Sequence, residues 1–183
     1  WSLDDGGGMT NGGGSSPLLT NCTFWGNSAS DTGGGMYNDG ATPTVTNCTF
    51  WGNTANAEGG GMWSHSGSTV LTNCILWGNS PDQISDLDSS WDITYSDLQG
   101  GHPGEANIDE DPLFVDPDNG DFHLGADSPC IDAGDNDAPN LPDIDFEGNG
   151  RVVDGDGDGT AIVDMGVDEV PIRVYLPLVF KGY

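Results

Sequence analysis

Residues 20–27 read TNCTFWGN, residues 46–53 read the same, and residues 72–79 read TNCILWGN. Cys22, Cys48 and Cys74 therefore stand 26 residues apart, as do Trp25, Trp51 and Trp77. The same step separates Asn21, Asn47 and Asn73, and likewise Asn27, Asn53 and Asn79. Glycine triplets starting at Gly6, Gly33 and Gly59, each followed by a Met, keep nearly the same rhythm. A fixed period of this length marks an array of supersecondary units, each burying against its neighbours the surface it cannot bury alone.

Within a unit the grammar is strand and turn. Stretches such as TVTNCTF alternate Thr and Val with larger side chains and are broken by Gly and Asn. No window sustains apolar residues at helical spacing. The pattern predicts an all-β fold, a parallel β-solenoid with one unit of about 26 residues per coil and coils about 4.8 Å apart. Side chains alternate across a strand, so Cys48 and Phe50 point inward and Thr49 and Trp51 outward. The Asn columns lie at bends, where stacked amides satisfy one another and the bend carbonyls. The Gly triplets supply bends with positive φ. The Cys column is expected to hold free thiols, because in-register stacking does not favour disulfide geometry. A degenerate fourth coil follows at Thr94–Gly101, with Ser96 in the place of Cys.

The net charge of −27 comes from thirty acidic and three basic residues. Such a chain cannot neutralise phosphates, so nucleic acid is excluded as a partner. Its field repels anionic membranes and polyuronates and attracts cations. No apolar run is long enough for membrane insertion. The acid is uneven: six Asp or Glu lie in residues 1–84 and twenty-four in residues 85–183.

The first hundred residues resemble right-handed parallel β-helix repeat proteins of bacterial cell surfaces. The phrases DPLFVDP, GDFHL, SPCIDAG, DFEGNGRV and VDMG are similar to the choice-of-anchor Q region that follows such repeats in large secreted or surface-attached proteins. Cys130 departs from that pattern, which has a small Ala there. The resemblance implies an extracellular or cell-surface setting, a β-helix with a loop-rich end, and no established enzyme activity. Residues 1–101 are read as coils, 102–170 as the acidic region and 171–183 as an apolar tail strand.

The sharpest local signal for a ligand is DGDGDGT at residues 154–160. Alternating Asp and Gly wraps oxygens around a hard cation, so Asp154, Asp156, Asp158 and Thr160 are expected to hold calcium. Asp164 falls one place short of the usual twelfth position, and Asp145, Asp168 and Glu169 are candidates to complete the shell. Trp25, Trp51 and Trp77 form an outward stripe, either a platform for glycans or a packing surface for another segment. His65, His102 and His123 show no metal-type spacing and are read as surface or cap residues. The sequons at Asn21 and Asn47 are poor acceptors if those Asn form a ladder. No catalysis is expected: the repeats lack Lys and Arg, and Asp31, Asp39 and Glu58 form no paired column.

The tail, VPIRVYLPLVFKGY, is apolar and β-prone, with Val174, Tyr175, Leu176, Leu178, Val179 and Phe180 at its centre. It is expected either to fold back along its own coils or to enter a neighbouring copy. The reading is a calcium-stabilised extracellular structural protein that is its own partner, a homopolymer built through open coil ends and the tail. The alternative is a glycan-binding, adhesive module.

Overall fold

The structure is a computed structural model, and residues 5–171 are described. The first coil carries strands β1 (Met9–Gly12), β2 (Leu18–Thr20), β3 (Thr23–Trp25) and β4 (Ser28–Ala29). The second repeats them as β5 (Met36–Asp39), β6 (Thr44–Thr46), β7 (Thr49–Trp51) and β8 (Thr54–Ala55). The third holds β9 (Met62–His65), β10 (Ser68–Thr72) and β11 (Ile75–Trp77). The shortened fourth holds β12 (Ile84–Leu87), β13 (Ser90–Thr94) and β14 (Asp97–Leu98). Three parallel sheets run along the solenoid, ordered β1-β5-β9-β12, β2-β6-β10-β13 and β3-β7-β11-β14.

Register follows the sequence period: Phe24 pairs with Phe50, Phe50 with Leu76, and Leu76 with Leu98. The predicted inward set is inward. Cys48, Phe50, Cys74 and Leu76 are fully buried in one core with Met36, Met62, Val45 and Leu71. Phe24 stacks on Phe50 at 4.5 Å between ring centroids.

The Cys column has a local purpose. Each residue before it, Asn21, Asn47 or Asn73, turns the chain with a positive φ that Asn tolerates. Each thiol then donates back to the carbonyl of Thr20, Thr46 or Thr72. Ser96 makes the same bond to the carbonyl of Thr94, and its hydroxyl accepts from the amide of Cys74 as Cys48 Sγ does from the amide of Cys22. All four cysteines are free thiols.

The glycine triplets supply the expected bends at their first members only. Gly6, Gly33 and Gly59 have positive φ, but the second and third members do not. Those positions are glycine because a Cβ on Gly34 or Gly35 would collide with backbone carbonyl oxygens of the next coil.

The acidic region adds two small antiparallel pairs, β15 (Phe114–Asp116) with β16 (Asp121–Leu124), and β17 (Val152–Val153) with β18 (Ile162–Val163). It lies along the outward face of the β3-β7-β11-β14 sheet. Its start also closes much of one coil end: the amide of Leu98 donates to Ile108, that of Tyr95 to Glu105, and Asn107 donates to the Ile93 carbonyl.

Candidate functional site

Thr49 and Ile75 face away from the solenoid core, yet both are fully buried. A second core explains this: Ile75 packs with Leu124, Cys130, Met165 and Val170 of the acidic region. Phe114 meets Trp51 edge to face at 5.6 Å, and Phe122 meets Trp25 at 6.0 Å. Two uses had been open for the Trp stripe, and packing takes most of it. Trp25 alone of the three is largely open, at 45% exposure.

The seam is also stitched by polar groups. Asn47 donates to the carbonyls of Asp164 and Gly166, Asn73 to that of Asp135, and Asn21 to that of Ile144. The first Asn column is therefore a docking row as much as a ladder. The second column, Asn27, Asn53 and Asn79, is a ladder in the strict sense, amide to amide at 2.8 Å. Arg151 is 1% exposed and reaches Asn21 Oδ1 and the carbonyls of Gly166, Val167 and Asp168. It also lies 3.6 Å from the buried Glu169. Burial outweighs that ion pair and pushes the Glu169 carboxyl up to about 9, with Asp164 adding repulsion.

Beside Trp25 the seam opens into a groove of about 330 Å3 lined by Trp25, Phe122, Phe146, Thr23, Asn27 and Val167. At its edge, His123 Nε2 lies 3.1 Å from Glu147 Oε2, and His123 Nδ1 is held by Asp121. These two carboxylates, Asp121 first, raise the imidazole pKa to about 9. Asp168, 4% exposed, accepts the Leu124 amide and completes a group whose ligand atoms all lie within 4.8 Å of one another. Sequence spacing could not reveal this group, because its members come from β16, a turn and the segment after β18.

The DGDGDGT loop is only partly a cluster. Asp154 and Asp156 come together with Asp132, which spacing did not suggest. Asp158 accepts the Thr160 amide within the exposed loop. Asp164 is buried behind that trio and is not one of its ligands: it accepts from the amides of Asp132 and Val170, and burial raises its carboxyl to about 7. Asp145 is occupied by the amides of Glu147, Gly148 and Asn149, and Glu169 by those of Val153 and Asp164. Val174, Tyr175, Leu176, Leu178, Val179 and Phe180 lie outside the described residues.

A family model described as a right handed beta helix region matches residues 2–97. No curated protein and no solved structure matches the chain.

Proposed function

Because the chain belongs to the right-handed β-helix family, whose coils stack edge on edge, we propose that it is an extracellular structural protein that self-associates end to end through its first coil. The first coil carries the reading. Met36, Cys48 and Phe50 are fully buried, whereas their counterparts Met9, Cys22 and Phe24 are only partly so. Strands β1, β2 and β3 each have a single partner among the described residues, and Leu18 stands exposed at the rim. Edges that the described residues leave unpaired over a half-covered core can take another strand layer. A head-to-tail contact repeats the parallel, in-register pairing already made between coils, and contacts of that kind propagate into filaments. The choice-of-anchor Q resemblance supports an extracellular setting. Asp132, Asp154 and Asp156 are the residues that would hold calcium, with carbonyls and water supplying the remaining oxygens.

The Cys22 carbonyl and Gly26 amide are bonded to the second coil, so alternation turns the Thr23 amide toward the free edge. Thr23→Pro removes that donor, and Leu18→Lys charges the rim. Wild-type protein in calcium should form assemblies that lengthen with concentration, visible by negative stain and sedimentation, and shorten on chelation. The double variant should keep its unfolding midpoint and stay monomeric. A wild type that remains monomeric at high concentration removes the proposal, and dimers that never grow replace head-to-tail contact with a two-fold one.

The groove favours a second reading, a glycan site. Trp25 and Phe146 present exposed rings, at 45% and 46%, beside the polar Asn27 and Thr23. Oligosaccharides should quench Trp fluorescence in wild type and not in Trp25→Ala. Equal quenching in both rejects this use of the groove.

A further inference from the structure

The geometry points to a transition-metal site of the zinc class formed by His123, Glu147 and Asp168 at the edge of the aromatic groove. Their ligand atoms lie within 4.8 Å of one another. The 3.1 Å between His123 Nε2 and Glu147 Oε2 is close to the edge of a tetrahedron with metal bonds of ~2.0 Å, which is roughly 3.3 Å. Two of the three groups are therefore already spaced as neighbours around one ion.

Each ligand is held from behind. Asp121 takes the Nδ1 side of the imidazole and presents Nε2 to the cluster, the arrangement that orients metal-bound histidines. Asp145 gathers the amides of residues 147–149 and so fixes the turn that carries Glu147. The Leu124 amide holds Asp168.

Asp168 separates this group from an ordinary surface ion pair. The residue is 4% exposed, a carboxylate oxygen lies within 4.8 Å of the ligand atoms of His123 and Glu147, and no Lys or Arg is within ion-pair distance among the described residues. One imidazole faces three carboxylates, Asp121, Glu147 and Asp168, and a divalent ion that takes the place of its proton supplies the further positive charge that a buried carboxylate needs. The donor set chooses the ion: an imidazole nitrogen with two carboxylates suits zinc and its neighbours, whereas calcium takes oxygen alone. His123 and Glu147 are half open to solvent, which leaves a fourth position for water or for a molecule in the groove.

Calorimetric titration of the full chain with zinc chloride should show one site, retained in excess calcium. His123→Ala and Glu147→Gln, both at half-exposed positions, should lose at least tenfold in affinity. Asp121→Asn, which keeps all three ligands, should weaken binding by about ten- to a hundredfold. The pair Asp154→Asn with Asp156→Asn should bind as wild type does, as should the Thr23→Pro, Leu18→Lys variant. In the wild type, zinc should move the Nε2 resonance of His123 while His65 and His102 stay put. Zinc binding that survives His123→Ala, that vanishes with the Asp154 and Asp156 changes, or that calcium displaces mole for mole overturns the assignment. So does the absence of binding, which leaves His123 as an imidazolium between Asp121 and Glu147.

Discussion

Asn53→Ala should destabilise the protein by about 2–4 kcal/mol, from one buried hydrogen bond lost and two half-buried groups left without partners. Asn53 is fully buried. Its Nδ2 donates to the Phe24 carbonyl and to Asn79 Oδ1, each at 2.8 Å, and its Oδ1 accepts both the amide and the side chain of Asn27. Alanine removes a buried bond to Asn79 Oδ1 and leaves the Phe24 carbonyl and the Asn27 amide, both half-buried, without their partners. A loss of that size is a large share of the ~5–15 kcal/mol that holds a domain together. Asn27→Ala is the internal control: it lies on the outermost rung, donates to Asn53, and should cost only about 1 kcal/mol, an ordinary hydrogen bond. Urea unfolding of the two variants checks the claim. Equal losses at Asn27 and Asn53 would mean that the column is decoration on a fold held by its apolar core.

The same column shows why so much of the solenoid was legible in the sequence. A period of 26 residues forces equivalent side chains over one another, and alternation then assigns Cys and Phe inward and Trp outward with no further information. Even the degenerate fourth coil was readable, since Ser96 can return a hydrogen bond to the chain as a thiol does. The acidic region has no period, so its contacts could not be read from spacing. Thr49 and Ile75 sit at outward positions, and nothing local to them says that Gly166 and Met165 will cover them. The DGDGDGT motif suggested completion by Asp145, Asp164, Asp168 or Glu169, but Asp145, Asp164 and Glu169 are spent on backbone amides, and the carboxylate that joins Asp154 and Asp156 is Asp132. Nor does spacing relate His123 to Glu147 and Asp168, which are near it in space only. A glycine triplet signals a bend in the sequence more plainly than it signals the closeness of the next coil, which is what excludes a Cβ at Gly34 and Gly35.

Stability should be greatest near the acid end of the range and fall as pH rises, the reverse of the behaviour of a protein held by carboxylate salt bridges. Burial pushes the carboxyls of Asp97 and Asp164 up to about 7, and that of Glu169 to about 9. Unfolded, such groups titrate near 4. Between those limits the folded state keeps protons that the unfolded state has released, so unfolding becomes easier with pH, by up to ~1.4 kcal/mol per pH unit for each group. The contribution is whole below the unfolded values and is lost as pH climbs through 7 for the two Asp and through 9 for Glu169. His123 acts in the same direction: its folded pKa is raised to about 9, so its contribution is complete below the ordinary His range and disappears as pH passes that value. Hydrogen bonds to Asp121 lower its pKa, and at Asp145 they overcome a burial that alone would raise it. Both therefore stabilise the fold only above the ordinary carboxylate range, which bends the curve down again at strongly acid pH. Urea midpoints measured without divalent ions should fall by several kcal/mol in equivalent free energy between about pH 5 and pH 9. General repulsion within a chain of charge −27 pushes the same way, but exposed charges are screened by salt and buried ones are not. At high ionic strength the slope should therefore persist, and Asp97→Asn, which keeps the shape of a group bonded to the Glu110 amide and the Cys130 thiol, should flatten it. A midpoint that is level or rising from pH 5 to pH 8 in high salt would place the ionised carboxylates in the native state after all, and with them a resident cation at the seam.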